Sequence, residues 1–278
     1  MAARRRTNLR RRQLRRSRPA RRILNCVPSR GTEKDWEIEH AVNAGLLTAR
    51  QAIPTSKDLR ASWWAINDQG DTGACVGWAA ADSVLRYLFV QAGRLPRAHL
   101  MSPRFLWMAA KETDDFTTQP TSFIEEEGTS VKAALDVARR YGCIPDSVLP
   151  FASGKLFAGK IETFYAKAAQ FKIASYFNLR RNLTAWRHWL ATKGPIAVAM
   201  DVDKTWDNAD TSGQLDIYDA YPPNDPDAGS HAVAIVGYTP DRFIVRNSWG
   251  KSWGDGGFAY ASLGYAQTAF TETYGVTL

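Results

Sequence analysis

Cysteine is scarce in this chain. Three residues, Cys26, Cys75 and Cys143, permit one disulfide at most and leave a thiol over, whereas a secreted fold stapled for oxidising conditions carries more, in even number. The chain is therefore expected to fold without disulfides in a reducing compartment, with the cytoplasm as the favoured location. Long apolar runs are missing as well. Nothing approaches the ~20 residues that span a bilayer, so no transmembrane segment is expected. The first 22 residues lack acids and lysine altogether and hold eleven arginines, so that against a formal net charge of +8 the remainder stands near −3. The basic character belongs to a tail and not to the fold. A secretory h-region is absent too, because Ile23, Leu24, Cys26 and Val27 make too short an apolar stretch; an organelle transit peptide shares the Arg-rich, acid-free composition. The arm reads either as a solvated tail without a partner or as a polyanion binder drawn to nucleic acid or anionic lipid by counterion release. With no aromatics interleaved, any nucleic-acid contact of residues 1–22 would be blind to sequence.

What is present is a globular composition: 278 residues, 45% hydrophobic, with ten tryptophans, enough to bury a substantial core. Behind the arm, residues 23–53 form a polar extension with one short helix expected over Glu37–Leu47, and the fold proper, 54–278, begins near Pro54. Helices are expected at Cys75–Val90, Pro103–Lys111, Thr129–Tyr141, Ile161–Ala169 and Asn182–Ala191. The first carries an apolar stripe at Val76, Ala79, Ala80, Val84 and Leu88; the third has capping chemistry at Thr129 or Ser130 and stops at Gly142. From Phe171 the pattern turns to strands: Phe171–Tyr176, Pro195–Asp201, His231–Gly237, Phe243–Asn247 and Phe258–Ser262. Helices first and strands later predict an α+β fold with a helical half, mainly 58–155, and a sheet half, mainly 156–278. The sequence shows no internal repeat, and a monomer is expected.

Three separated segments carry reactive groups. Gln69-Gly-Asp-Thr-Gly-Ala-Cys75 is a tight glycine-rich loop running into a helix of small residues. A thiol at that junction meets the positive end of the helix dipole and unpaired amide N–H groups, both of which favour the thiolate; a buried inert thiol is the commoner fate of a single cysteine. Gly229-Ser-His231-Ala-Val-Ala-Ile-Val-Gly places a histidine at the mouth of an apolar strand, where taken alone it is more often a satisfied polar residue than a base. Asn247-Ser-Trp249-Gly-Lys-Ser-Trp253-Gly-Asp-Gly-Gly-Phe258 sets an amide beside an indole ahead of a glycine turn.

Together these segments, in this order, resemble the papain-like cysteine peptidases. Asn-Ser-Trp-Gly followed by Trp-Gly and Gly-Phe is the most specific part, Asp58-Leu59-Arg60 resembles the opening of the mature enzymes, and the likeness spans about Pro54 to Ser262. The resemblance implies a two-lobed fold, a helical lobe and an antiparallel β-barrel-like sheet lobe with the active-site cleft between them. It implies a cysteine-type endopeptidase acting on protein or peptide through an acyl-enzyme, without cofactor or metal. Cys75 is the implied nucleophile, His231 the base, Asn247 the group that orients the imidazole, and Gln69 the oxyanion donor beside the Cys75 amide. Gly128 and Ala232 are implied to line the substrate cleft, and Trp249 to shield the His231–Asn247 bond from water.

The sequence departs from that pattern in two places. Val76 stands where the family has an aromatic, with Trp78 two positions on, and Thr72 stands where the family has a cysteine, so the loop disulfide cannot form. Neither change removes a reacting atom. The extension before Pro54 has no clear match to the family's helical propeptide; it could be a short pro-like segment, a belt strand or a scaffold piece. Cys26 and Cys143 read as inert, and His40, His99 and His188 as surface residues. Asp201, Asp203, Asp225 and Asp227 fit no calcium-loop spacing and read as polar loop. Two other functions stay open: acyl transfer or deamidation on a related Cys-His site, and a catalytically idle binding module tethered by the arm.

Overall fold

The computed structural model describes residues 22–48, 52–114, 125–153, 159–207, 209 and 212–278; the arm expected over 1–22 lies, Arg22 apart, outside the described residues. The architecture is α+β. A helical layer packs on one large sheet, and both surround a main apolar core that includes Val84, Phe89, Leu106, Trp186, Trp189 and Phe243, with a small second cluster around Ala74, Trp78 and Trp107.

The helical layer comprises α1 (Ile38–Asn43), the central helix α2 (75–91), α3 (Pro103–Thr113), α4 (Val131–Arg140), α5 (Ile161–Ala169), α6 (Leu183–Thr192) and α7 (Leu263–Ala269). Side-chain oxygens cap the starts of four of them, Ser102 before α3, Ser130 before α4, Asn182 before α6 and Ser262 before α7, each accepting from an otherwise orphaned backbone N–H. Helix α2 starts at Cys75 and is buried continuously through Arg86; over Trp78–Leu85 its turn widens to a π-helix before the α-helical end. Helix α1 is shorter than the expected Glu37–Leu47 because Gly45 turns left-handed, and the N–H groups of Leu46 and Leu47 both fold back on the Ala41 carbonyl.

The sheet runs β2 (Ser175–Asn178), β8 (Phe270–Thr277), β3 (Ile196–Val202), β5 (Gly229–Tyr238), β6 (Arg242–Arg246), β7 (Phe258–Ser262) and β4 (Gln214–Leu215), with β1 (Lys57–Asp58) paired to β5. All pairs are antiparallel except β4 with β7. The strand expected at Phe171–Tyr176 begins later, at Ser175. Phe171 closes the end of α5 by donating to the Ala168 carbonyl, and Ile173 donates to Ala138 at the end of α4, so this apolar stretch packs as a loop. Strand β8 and helix α7 were not anticipated from the sequence.

The extension is part of the body. Asp35 is buried and accepts from Lys132 of α4, from Asn178 Nδ2 of β2 at 3.1 Å and from Tyr274 OH of β8 at 2.9 Å. This single carboxylate ties the extension to both layers. The acidic segment 201–227 is likewise structural where it is buried: Asp203 accepts from Tyr265 OH, Thr205 Oγ1 and the Asp219 N–H.

Candidate active site

Helix α2 begins where the loop Gly70–Ala74 ends, which puts Cys75 at its first position, fully buried. Strand β5 brings His231 against it: helix α2 and β5 are packed together, and the Cys75 sulfur interacts with the His231 ring and the Ala232 N–H. Strand β6 ends at Arg246, so Asn247 is the first residue beyond it and sits beside His231, 2% exposed. The sequence segments expected to meet do meet.

The polarity of the histidine is fixed one residue further on. His231 Nε2 lies 2.8 Å from Asn247 Oδ1, and the backbone N–H of Ser248 donates to the same Oδ1 at 2.8 Å. A backbone N–H requires an acceptor, so the amide must present its oxygen here, and Nε2 must be the protonated ring nitrogen. That leaves Nδ1, buried and without a closed hydrogen bond, as the nitrogen facing Cys75.

Aromatic rings enclose the pair. The Trp249 ring lies 4.8 Å from that of His231, Trp206 meets His231 edge-on at 5.7 Å, and Trp253 stacks on Trp206 at 4.7 Å. The Trp206 indole donates to Tyr265 OH, which in turn donates to buried Asp203, so the ring next to the imidazole is held by a polar chain. Gln69 is fully buried: Nε2 donates to the Thr72 carbonyl at 2.9 Å and Oε1 accepts from Ser248 Oγ at 2.8 Å. One Nε2 hydrogen is thereby used and a second remains. Ser248 therefore braces both amides of the site, a role the sequence reading did not assign although it names the residue within Asn-Ser-Trp. Trp206 was missed as well, since nothing near it in sequence marks it.

The cleft also holds a piece of this chain. Residues 22–30 cross it as a strap. Arg22 pairs with Asp68 at 2.7 Å and donates to the Trp249 carbonyl at 3.2 Å on one rim. Asn25 donates to the Glu126 carbonyl, Cys26 N–H to the Ser230 carbonyl at 2.9 Å and Val27 N–H to the Thr129 carbonyl at 3.0 Å. On the far rim Ser29 N–H donates to Glu272 Oε1. Two glycines make the fit possible: a Cβ on Gly128 would lie 1.4 Å from the Asn25 carbonyl oxygen, and one on Gly229 would lie 2.6 Å from Leu24 Cβ. Gly128 thus borders the path of the strap, Ala232 meets the Cys75 sulfur through its N–H, and the Cys26 thiol acts directly on that sulfur.

Those contacts set the charge on sulfur. The Cys26 hydrogen bond, then His231 and the Ala232 N–H, hold the Cys75 thiol well below the ordinary thiol range against the opposing effect of burial. The same bond and burial push Cys26 up. Cys143, buried between the Ser102 and Ile144 carbonyls, is also pushed up by burial. Cys26 is therefore not the inert thiol the sequence suggested. His40 caps α1 through Nδ1 and His188 lies beside the Thr48 carbonyl, both away from the cleft. No cluster of metal-ligating side chains occurs among the described residues, nor does any helix there have the length and apolarity to cross a membrane.

Known proteins resemble this chain over most of its described length. The family model described as papain family cysteine protease matches residues 53–276. Macrodontain-1 of Ananas macrodontes is 28% identical over 214 residues, 74% of this chain and 88% of its own length. Cysteine proteinase A of Leishmania mexicana is 33% identical over 100 residues, with the match spanning 34% of this chain and 26% of that protein. Among solved structures, the cysteine protease xylellain of Xylella fastidiosa superposes with a TM-score of 0.71 at 20% identity, covering 92% of this chain and 96% of that one.

Proposed function

The chain belongs to the papain family of cysteine proteases, a thiol hydrolase by membership, and from that premise we propose that it is an endopeptidase working through Cys75, His231, Asn247 and Gln69. The Cys75 thiolate attacks the scissile carbonyl. The resulting oxyanion is met by the Cys75 backbone N–H and the second Nε2 hydrogen of Gln69; one such donor is typically worth ~10²–10³ in rate. His231 Nδ1, protonated once the ion pair with Cys75 has formed, hands its proton to the departing amine, and the acyl-enzyme remains on sulfur. Water, deprotonated by the same nitrogen, then releases the carboxylate product. Asn247 keeps the imidazole in the tautomer that leaves Nδ1 toward sulfur, and Trp249 keeps water off the Nε2–Oδ1 bond. Gly128 and Ala232 would line the substrate groove.

The observation that carries this reading is the seating of Cys75, at the first position of α2, against a histidine whose opposite nitrogen is tied to Asn247 Oδ1 at 2.8 Å. Internal cleavage in particular is supported by the strap, a continuous stretch of polypeptide held at Asp68 and Trp249 on one side of Cys75 and at Glu272 on the other. An epoxysuccinyl-type thiol reagent, applied to reduced protein, is expected to label Cys75 and to abolish hydrolysis of an internally quenched peptide; Cys75→Ala is expected to lose both. Labelling at Cys26 or Cys143 with activity surviving Cys75→Ala would sink the assignment.

A further inference from the structure

Two thiols occupy one buried position at the centre of the groove. Cys26 is 5% exposed and Cys75 is fully buried, and both are free. Each thiol acts directly on the other, and both belong to the same buried cluster. The contact is fixed by backbone on both sides: Cys26 N–H donates to the carbonyl of Ser230, the residue preceding His231, while the next amide, Val27, is held by Thr129 on the opposite wall. Asn25 is seated on Gly128 and Leu24 on Gly229 in a fit that no larger residue at those glycines would allow. Cys26 is therefore delivered to the nucleophile by the strap and is not a neighbour by accident of packing.

We propose that Cys26 is the resolving thiol of a reversible disulfide with Cys75, a modification that locks the strap across the groove under oxidation by a hydroperoxide. The inference rests on Cys75 being the peptidase nucleophile. In its first step the Cys75 thiolate attacks the distal peroxide oxygen. A sulfur–oxygen bond forms, the oxygen–oxygen bond breaks, and the alcohol (water, for hydrogen peroxide) leaves with one proton, giving the sulfenic acid. Cys26 then attacks that sulfur. The sulfur–sulfur bond forms, the sulfur–oxygen bond breaks, and the departing hydroxide leaves as water with the Cys26 proton. The two thiols together lose two electrons and the hydroperoxide gains them.

The local chemistry suits both steps. While Cys75 is a thiolate, Cys26 stays protonated because it donates to that charge. Oxidation of Cys75 removes the charge and with it the chief reason for Cys26 to hold its proton. The oxidant enters when the strap opens locally, which costs a few backbone bonds and one rim ion pair; reclosing returns Cys26 to the sulfenic sulfur. Without a nearby thiol a sulfenic acid proceeds to the sulfinic acid, which dithiothreitol does not reverse. In the reduced state the strap is held by hydrogen bonds that a peptide substrate can displace, whereas the disulfide cannot be displaced by substrate.

The test uses the full chain treated with hydrogen peroxide, then mapped as peptides without reduction and assayed before and after dithiothreitol. A linked Cys26–Cys75 peptide is expected, with peptidase activity lost on oxidation and restored by the dithiol. In Cys26→Ser the same treatment should also abolish activity, but irreversibly, with Cys75 recovered as the sulfinic acid. If Cys75 of the unaltered chain reaches the sulfinic acid without a Cys26 link, as fast as in Cys26→Ser, the proposal is overturned. The peptide map of the unaltered chain needs no variant to fold. It also separates the two claims: a linked peptide in a protein that has no peptidase activity when reduced would leave the disulfide standing and remove the proposed function.

Discussion

At the scale of single residues, the site is organised by which atom of each polar group is already committed. Ser248 decides the face of Asn247, Asn247 decides the tautomer of His231, and the histidine is left with one nitrogen for sulfur. Cys26 adds a donor to that sulfur. Its removal should be visible in titration: Cys75 is held below the ordinary thiol range by the Cys26 hydrogen bond first and by His231 next. A lost donor destabilises the thiolate, so the pKa must rise. In Cys26→Ala under reducing conditions, the pH midpoint for alkylation of Cys75 by iodoacetamide is therefore expected to move upward. The midpoint and not the rate plateau is the measure, because the smaller side chain also admits the reagent more easily. An unchanged or lower midpoint would mean that Cys26 contributes nothing to thiolate stability. The residues legible in the sequence were those inside local patterns: Asn-Ser-Trp-Gly, a histidine opening an apolar strand, and a cysteine behind a glycine loop. Cys26 had no such pattern. Its meaning comes from a partner 49 positions away in the chain, reached only because an extension doubles back through the groove.

At the scale of elements, the question is what keeps the helix-borne Cys75 and its strand-borne neighbours in register. Asp82 lies on α2, two turns beyond Cys75, and it is fully buried. Its Oδ1 accepts from Arg86 at 3.0 Å and its Oδ2 from Arg246 at 2.7 Å. Arg246 ends β6, one residue before Asn247, and also donates to Ser83 Oγ and to the Ala65 carbonyl while its guanidinium lies over Trp64. The strand end that carries Asn247 is thus bolted to the helix that carries Cys75. Arg246→Met keeps the volume and removes the bolt. Breaking a buried pair costs ~3–5 kcal/mol because it strands the remaining charge, and Arg86 still faces Asp82, so about 3 kcal/mol is the expected loss in urea unfolding. A change below about 1 kcal/mol would show that Asp82 is satisfied by Arg86 alone. Helices with a side-chain cap or a clear stripe were readable to within two residues, as at α3, α4 and α6. Strand β8 was not, because Phe270–Thr277 alternates poorly: its paired neighbours bury Tyr274 and Val276 on one side while Thr273 is buried as well. The Phe171 run was misplaced for the complementary reason, an apolar stretch whose backbone is satisfied by helix ends.

At the scale of the whole molecule, charge and chain path meet at Arg22. Residues 1–22 hold eleven arginines against a formal total of +8, and the last of these is pinned at the rim of the cleft by Asp68 and the Trp249 carbonyl. The two roles considered for the N-terminal region, polyanion binding by the arm and occupation of the cleft by the strap, can therefore be separated by where it is cut. Removing residues 1–21 deletes ten arginines and takes the formal charge from +8 to about −2, but it leaves Arg22, the strap and every described contact in the groove. If the arm is a polyanion binder, the full chain should bind single-stranded DNA with an affinity that falls steeply with salt, since each neutralised phosphate releases a counterion. The shortened chain should lose that binding at every salt concentration, because a body near −2 has no such cationic block to offer. Peptidase activity measured under dithiol should stay within about twofold, the groove being unchanged. Equal DNA binding by the two forms would assign the affinity to the folded body and leave the arm without a polyanion role. A large rise in activity on deletion would show instead that the arm, and not the strap alone, restrains the cleft.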